Sequence, residues 1–364
     1  MTPPSISRAA SDDADSTPRA RLHTRRQRPL AVLAFGGNAL LQADDMGTVE
    51  EQKRRAEQAA EWLVDFVLEG HDLVICHGNG PQVGQVLIQM EEAATKVPPG
   101  TLDVAVAQTQ SGIGFLLELA LRNRFHEKGE PREVSTILSM VRVDKDDPGF
   151  DDPTKPIGPF FSRWRAEALQ RDHDWAMVED SGRGWRKVVA SPKPLEILGV
   201  EGLDTLLRGG RVLVAGGGGG IPVVADENGR LHGVEAVIDK DFTSALLARQ
   251  LEADLFIILT SVPRVYRDFG TDDETALAKI TVPEAPELLA AKQFPAGSMG
   301  PKIRAAVEFA EATGKPVLIT DVDHLAEAIN GDDGTVIVPP EADPEHDPSS
   351  DSRPTPAAAS GPEG

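Results

Sequence analysis

RVLVAGGGGGIPVV, residues 211–224, runs an apolar stretch into five consecutive glycines and then into a second apolar stretch. After Arg211 no polar residue alternates with the apolar ones, which is the pattern of a strand buried on both faces. The glycines read as the turn that follows it. Lacking side chains, they let backbone N–H groups come close to an anion. The same arrangement occurs in PLAVLAFGGNAL (29–40) and in HDLVICHGNGPQVG (71–84). One such turn is weak evidence, since any strand-to-helix connection can use glycine. Three of them at strand ends point to a ligand site there, because open α/β sheets bind ligands at the C-terminal edge of their strands.

Working outward, apolar runs of strand length alternate with helical patterns. PLAVLAF (29–35), HDLVICHG (71–78), VSTILSMVRV (134–143), RVLVAGG (211–217), ADLFIILT (253–260) and PVLIT (316–320) read as strands. Helical periodicity occupies 48–69, 81–94, 105–128, 239–251, 301–313 and 322–330. The expected fold is α/β: a three-layer αβα sandwich around a mainly parallel open sheet. Residues 144–187 break the rhythm with Pro, Gly and charge, yet hold three of the four tryptophans. They are expected to form a small inserted subdomain, of about 144–187, within one folded domain spanning 29–338. Residues 1–28 and 339–364 are poor in hydrophobics and are expected to be a disordered arm and a disordered acidic tail.

Composition narrows the function classes. The chain has 364 residues, is 40% hydrophobic, and carries a net charge of −21. That charge excludes broad electrostatic attraction to nucleic acid or to an anionic membrane. The single cysteine, Cys76, allows no internal disulfide and no multi-thiolate zinc site. No apolar run approaches the length of a membrane span, and the N-terminus lacks the apolar segment of a secretory signal, so a cytoplasmic location is expected. The six arginines before Pro29 are offset by Asp12, Asp13 and Asp15, against an organelle transit peptide.

The candidate chemistry begins with a conflict. In AVIDKDF (236–242), Asp239 suits the N-cap of the next helix, but Lys240 then sits in its first turn. A helix N-terminus carries about half a positive charge, so a cation is disfavoured there unless an anion faces it. GSMGPKIRAAVEFAEATGK (297–315) repeats the conflict: Pro301 fits the first helical position, Gly314 fits the stop, and Lys302 falls in the first turn. A shared anion such as a triphosphate satisfies both lysines and both helix starts. Asp239 and Asp241 are placed to orient Lys240 or to take part in holding Mg²⁺. No GxxxxGK[ST] is present, and Ile221 ends the glycine run before GxGxxG is complete, which disfavours a P-loop enzyme or an ordinary Rossmann dehydrogenase.

FGGNALLQ, ICHGNGPQVG, DPTKPIGPF, EDSGRGWRKVVASPKP, GGGGIPVV, GVEAVIDKD and FPAGSMGPK follow one another along about residues 30–338. Together they resemble the carbamate kinases, of the amino-acid kinase fold. The resemblance implies an open αβα sandwich whose inserted subdomain protrudes from a catalytic domain, and a homodimer that catalyses ATP + carbamate ⇌ ADP + carbamoyl phosphate with Mg²⁺, used to make ATP in arginine or other nitrogen catabolism. Carried over by motif, it implies catalytic roles for Lys155, Lys240 and Lys302, with Asp241 organising the lysines. Gly36, Gly37 and Asn38 match the loop at the transferred phosphate, and Gly78, Asn79 and Gly80 its partner loop. Gly217, Gly218, Tyr266, Ser298 and Met299 match the nucleotide pocket. Carbamate is already an anion, so no general base is required, and His77 is read as a packed or turn-stabilising histidine. One departure stands out: Ser261 and Pro263 replace the two acids of the TDVD-like sequence usual in the family after the strand read here as ADLFIILT. TDVD does occur at 320–323, but after a different strand, so that role is not carried over. Two other readings remain: a different small carboxylate-like acceptor, or a nucleotide-binding regulator without catalysis.

Overall fold

The computed structural model describes residues 27–36, 47–180, 182–294 and 298–339. Nearly all of the N-terminal arm and C-terminal tail expected to be disordered lies outside these residues, as do Gly37 and Asn38. The chain opens with β1 (Leu30–Phe35), α1 (Val49–Leu68), β2 (Asp72–His77), α2 (Gly80–Ala93) and α3 (Leu102–Glu127). It continues through β3 (Val134–Thr136), β4 (Met140–Val143), β5 (Lys155–Phe161), α4 (Arg163–His173), β6 (Met177–Glu179), β7 (Trp185–Val189) and β8 (Pro194–Ile197). Then come α5 (Val200–Arg208), β9 (Val212–Val214), β10 (Ile221–Ala225), β11 (Leu231–Gly233), α6 (Lys240–Gln250) and β12 (Leu255–Leu259). The last elements are β13 (Val265–Arg267), β14 (Thr275–Leu277), β15 (Lys279–Thr281), α7 (Ala285–Ala290), α8 (Met299–Thr313), β16 (Val317–Thr320), α9 (Leu325–Asn330) and β17 (Thr335–Val338).

The main sheet has the order β15-β17-β16-β12-β1-β2-β9-β3. Every pairing from β16 to β3 is parallel, and β17 runs antiparallel to β16. β1 shows why the sandwich has three layers. Leu30, Val32 and Ala34 face a core shared with α5, α6 and α8, while Ala31, Leu33 and Phe35 face one shared with α1 and α3. Alternate side chains of a strand point to opposite faces, so a run apolar at every position is covered on both. Helix α1 is fixed at its start by a capping box in which Thr48 and Glu51 each bond the other's backbone N–H. By length and composition alone α3 could cross a membrane, but half of its most apolar stretch is packed inside the molecule.

VSTILSMVRV is not the single strand its composition suggests. It breaks at Ile137–Ser139 into β3, at the edge of the main sheet, and β4, in a second sheet ordered β11-β10-β4-β8. The break is held from outside the segment: the Ser139 N–H donates to Gln110 Oε1 at 2.7 Å and the Ile137 N–H to the Val214 carbonyl at 2.9 Å. The two parallel neighbours β3 and β9 leave the main sheet side by side, and their continuations β4 and β10 pair again. α8 begins at Met299, two residues before the start expected at Pro301, which its first turn tolerates because the N–H groups there have no helical partner.

A third sheet, β5-β7-β6, is flanked by α4 and built on Ala166, Leu169, Trp175 and Met177. It rests on α2, where Gly84 meets Gly158 so closely that a Cβ on Gly84 would lie 2.0 Å from the Gly158 Cα. Trp175 Nε1–H donates to Glu91 Oε1 at 2.9 Å across the same contact.

Candidate active site

The lysine placed against its helix dipole is answered by the residue beside it. Asp239 caps α6, its side chain accepting the Asp241 N–H at 2.9 Å. That cap turns the Asp241 carboxylate back over the helix start, where Oδ1 accepts from Lys240 Nζ at 2.5 Å and Oδ2 from Lys302 Nζ at 2.9 Å. Lys155, at the start of β5, donates to Asp239 Oδ2 at 2.6 Å. Three ammonium groups from three parts of the chain thus meet two carboxylates at the N-terminus of α6. The count leaves one positive charge over, added to the helix dipole, in a chain whose net charge is −21.

Burial and pairing pull these groups in opposite directions. For Asp241 burial favours the neutral acid, but Lys240 and Lys302 outweigh it and hold the carboxyl well below its usual range. For Asp239 burial is likewise overcome, mainly by Lys155. Burial also works against the charge on Lys240, yet Asp241 and Asp239 lift its pKa above the ordinary lysine value. Lys302 goes the other way: burial, helped by the neighbouring Lys240, outweighs Asp241 and lowers its pKa.

Of the described glycine turns, the run at 216–220 lies against the start of α6, and HGNG lies against that run. The Gly78 N–H donates to the Phe35 carbonyl at 3.0 Å, tying the HGNG turn to the end of β1, and Gly36 follows directly. Asn79 donates to Thr109 Oγ1 at 2.8 Å, and Gly80 opens α2. Gly218 lies against Asn79, where a Cβ would come within 2.4 Å of Nδ2. Gly219 lies against the Ile238 carbonyl just ahead of the Asp239 cap, and its own carbonyl accepts from Thr243 Oγ1 at 2.7 Å. His77 is fully buried and its Nδ1–H donates to the Gly78 carbonyl at 3.0 Å, leaving Nε2 without a partner. Burial pushes its pKa down to about 4, so the ring is neutral. Burial pushes the thiol of Cys76, beneath the cluster, up to about 12.

The remaining candidates sit further along the same edge. Met299 opens α8 one turn before Lys302, and Ser298 precedes it. Tyr266 lies on β13 with its ring 5.8 Å from Phe269; among the described residues it makes no hydrogen bond, ion pair or ring contact with the lysines. The ends of β12 and β16 are adjacent, the Thr260 N–H donating to the Thr320 carbonyl at 2.9 Å. Asp321 follows Thr320 and is engaged by His324 Nδ1 at 2.7 Å, while Arg264, next to Pro263, donates to Asp333 Oδ1 at 2.5 Å. Two features had no signal in the sequence: the pairing of Asp239 with Lys155, and a buried set on α3 and the β3–β4 loop in which Gln110 Nε2 donates to the Gly217 carbonyl at 2.7 Å. A glutamine inside a helix announces nothing by type or spacing.

The profile of the Amino acid kinase family matches residues 29–321. A carbamate kinase of Thermococcus kodakarensis is 42% identical over 310 residues, covering 84% of this chain and 98% of that protein. The chain belongs to the carbamate kinases of the amino acid kinase family. A carbamate kinase of Halobacterium salinarum is 45% identical over 312 residues, 85% of this chain and 98% of the relative. Among solved structures, Giardia lamblia carbamate kinase bound to citric acid matches with a TM-score of 0.82 at 38% identity, over 86% of this chain and 99% of that one. The same enzyme bound to AMP-PNP matches with a TM-score of 0.78 at 39% identity, over 86% and 99% of the two chains. The carbamate kinase likeness therefore spans the whole sheet and the inserted segment, and is not confined to the glycine turns.

Proposed function

We propose that this protein transfers the γ-phosphoryl group of ATP to carbamate, giving ADP and carbamoyl phosphate, and runs equally in reverse. The observation that carries this reading is the meeting of Lys240 and Lys302 on Asp241 beside the Lys155–Asp239 pair. A carbamate oxygen attacks the γ-phosphorus, the bond from that phosphorus to the β–γ bridging oxygen breaks, and the electron pair leaves with ADP. Both reactants are anions, so the barrier is largely one of bringing like charges into line. Ammonium groups fixed in advance offset that repulsion without reorganising at the moment of transfer. In this scheme Lys240 serves the transferring group, Lys302 the nucleotide phosphates and Lys155 the carbamate. Asp241 holds two of the lysines apart and aimed. Its depressed pKa supports a permanent counter-charge and not a proton acceptor.

Mg²⁺ enters this scheme with the nucleotide, as part of the substrate. The oxygens of Asp239 and Asp241 are taken up by ammonium groups and a backbone N–H, and among the described residues no cluster of three or more acids, histidines or cysteines offers an ion a cage. Magnesium is commonly held by phosphates and water with few protein ligands, which fits that arrangement. For association, the surface beside the edge strand β3 is apolar. Phe115 and Leu119 of α3 and Leu138 after the edge strand β3 are exposed and line one open depression with Thr136. An open sheet edge beside exposed apolar side chains is ordinarily covered, and a second copy of this chain is the occupant we assign to it.

The direct test is ATP formation from ADP and carbamoyl phosphate in a coupled assay, with acetyl phosphate as competitor. Turnover selective for carbamoyl phosphate is expected. Selectivity for acetyl phosphate would favour another acceptor, and nucleotide binding without turnover would favour a regulator.

A further inference from the structure

The glycine run between β9 and β10 is held by its carbonyls. The Gly216 carbonyl accepts from Cys76 Sγ at 3.1 Å, the Gly217 carbonyl from Gln110 Nε2 at 2.7 Å and the Gly219 carbonyl from Thr243 Oγ1 at 2.7 Å. The Gly216 N–H is taken by Ser139 Oγ at 2.9 Å. Among the described residues, the N–H groups of Gly217 and Gly218 have no acceptor. Gly217 keeps helical angles and Gly218 turns to φ 67°, an alternation that directs successive N–H groups into one concavity suited to an anion.

Strand order says which anion. β9 stands three strands from β12, about 14 Å at the usual strand spacing, with β2 and β1 between. The nucleotide candidates lie on the β12 side: Tyr266 follows β12, and Met299 opens α8, which packs near β16 and β17. The glycine run instead borders Asn79 and the Ile238 lead-in to Asp239, the partner of Lys155.

We infer that Gln110 is a positioning residue for the acceptor, aiming the Gly217 and Gly218 amides at the anionic oxygens of carbamate or carbamoyl phosphate. This rests on the proposed reaction, and it moves the two glycines from the nucleotide side, where the family resemblance put them, to the acceptor side. Gln110 is 1% exposed and uses both ends of its amide: Nε2 on the Gly217 carbonyl, Oε1 on the Ser139 N–H at 2.7 Å. Ser139 in turn holds Gly216. The Gly217 carbonyl shares its peptide plane with the Gly218 N–H, so Gln110 fixes that amide directly, and through Ser139, whose carbonyl also accepts the Ile221 N–H at 2.9 Å, it holds the entry and exit of the run.

The experiment measures KM for carbamoyl phosphate and for ADP, each with the other saturating, in Gln110→Leu and Gln110→Glu. Loss of one buried donor to a carbonyl costs about tenfold in an interaction it supports. KM for carbamoyl phosphate should rise about tenfold while KM for ADP stays within about twofold. Equal shifts in both, a shift for ADP alone, or no shift would overturn the role. Gln110→Glu keeps the shape and the acceptor for Ser139, and decides the matter if the leucine variant does not fold. Wild-type protein in the same assay separates the two levels. An inactive wild type refutes the reaction itself, whereas an active wild type with unsplit KM values in the variants refutes only the part given to Gln110.

Discussion

Asp241→Asn keeps the shape of the side chain and removes its charge, and its cost follows from burial. The Asp241 side chain is 5% exposed, and the lysines on its two oxygens are 9% and 12% exposed. The variant leaves two close, buried ammonium groups with only Asp239 nearby, and Asp239 is already paired with Lys155. Breaking a buried pair by removing one partner costs about 3–5 kcal/mol. At roughly 2 °C per kcal/mol for a chain of this length, melting should fall by about 6–10 °C. Turnover should fall by about 10²–10³, since both lysines lose their aim. The acid limb should change as well. Asp241 has a folded pKa below its unfolded value of 3.8, so its contribution is fully present above 3.8 and is lost as pH falls from there through the folded pKa. The variant should lack that loss. Differential scanning fluorimetry at neutral and acid pH, with the coupled assay, reads all three. A variant melting within about 2 °C of wild type and turning over within about threefold would refute the reasoning.

Three further outcomes test the surrounding structure. His77 has its pKa lowered from 6.5 to about 4, so between those values the unfolded chain binds the extra proton and stability falls as pH falls. Between about pH 6.5 and pH 4.5, wild type should lose about 2–3 kcal/mol more than His77→Gln in urea unfolding, and parallel losses would contradict the burial argument. Gly84→Ala should destabilise by about 1–3 kcal/mol despite alanine's better helix propensity, because its Cβ would meet the Gly158 backbone at 2.0 Å. Gly112→Ala, with nothing within 4 Å of its Cβ, should be neutral or stabilising by up to about 1 kcal/mol, and the reverse order would contradict the packing of β5 on α2. Phe115→Glu, at a side chain 59% exposed in the apolar face, should halve the mass seen by light scattering; an unchanged mass would contradict the assigned partner.

The fold was legible where a local pattern and its tertiary role coincide. Leu30–Phe35 is apolar at every position because both faces are covered, and Thr48 with Glu51 marks the start of α1 within four residues. VSTILSMVRV misleads because its break is imposed by Gln110, 29 residues away in sequence. The site divides in the same way. Asp239 and Lys240 were readable together as a cap and a misplaced cation. That Lys302 shares Asp241 across 61 residues, and that Lys155 reaches Asp239 across 84, lies beyond any spacing rule. What the sequence did show was that two lysines had the same electrostatic problem, and they meet on the same carboxylate.

If ammonium groups gathered at the start of α6 stabilise phosphoryl transfer, the turnover number of Lys240→Ala for ATP formation from ADP and carbamoyl phosphate reports it. A fall of about 10²–10³ in a variant that still binds ADP is the expected result, and turnover within about threefold of wild type would contradict the account.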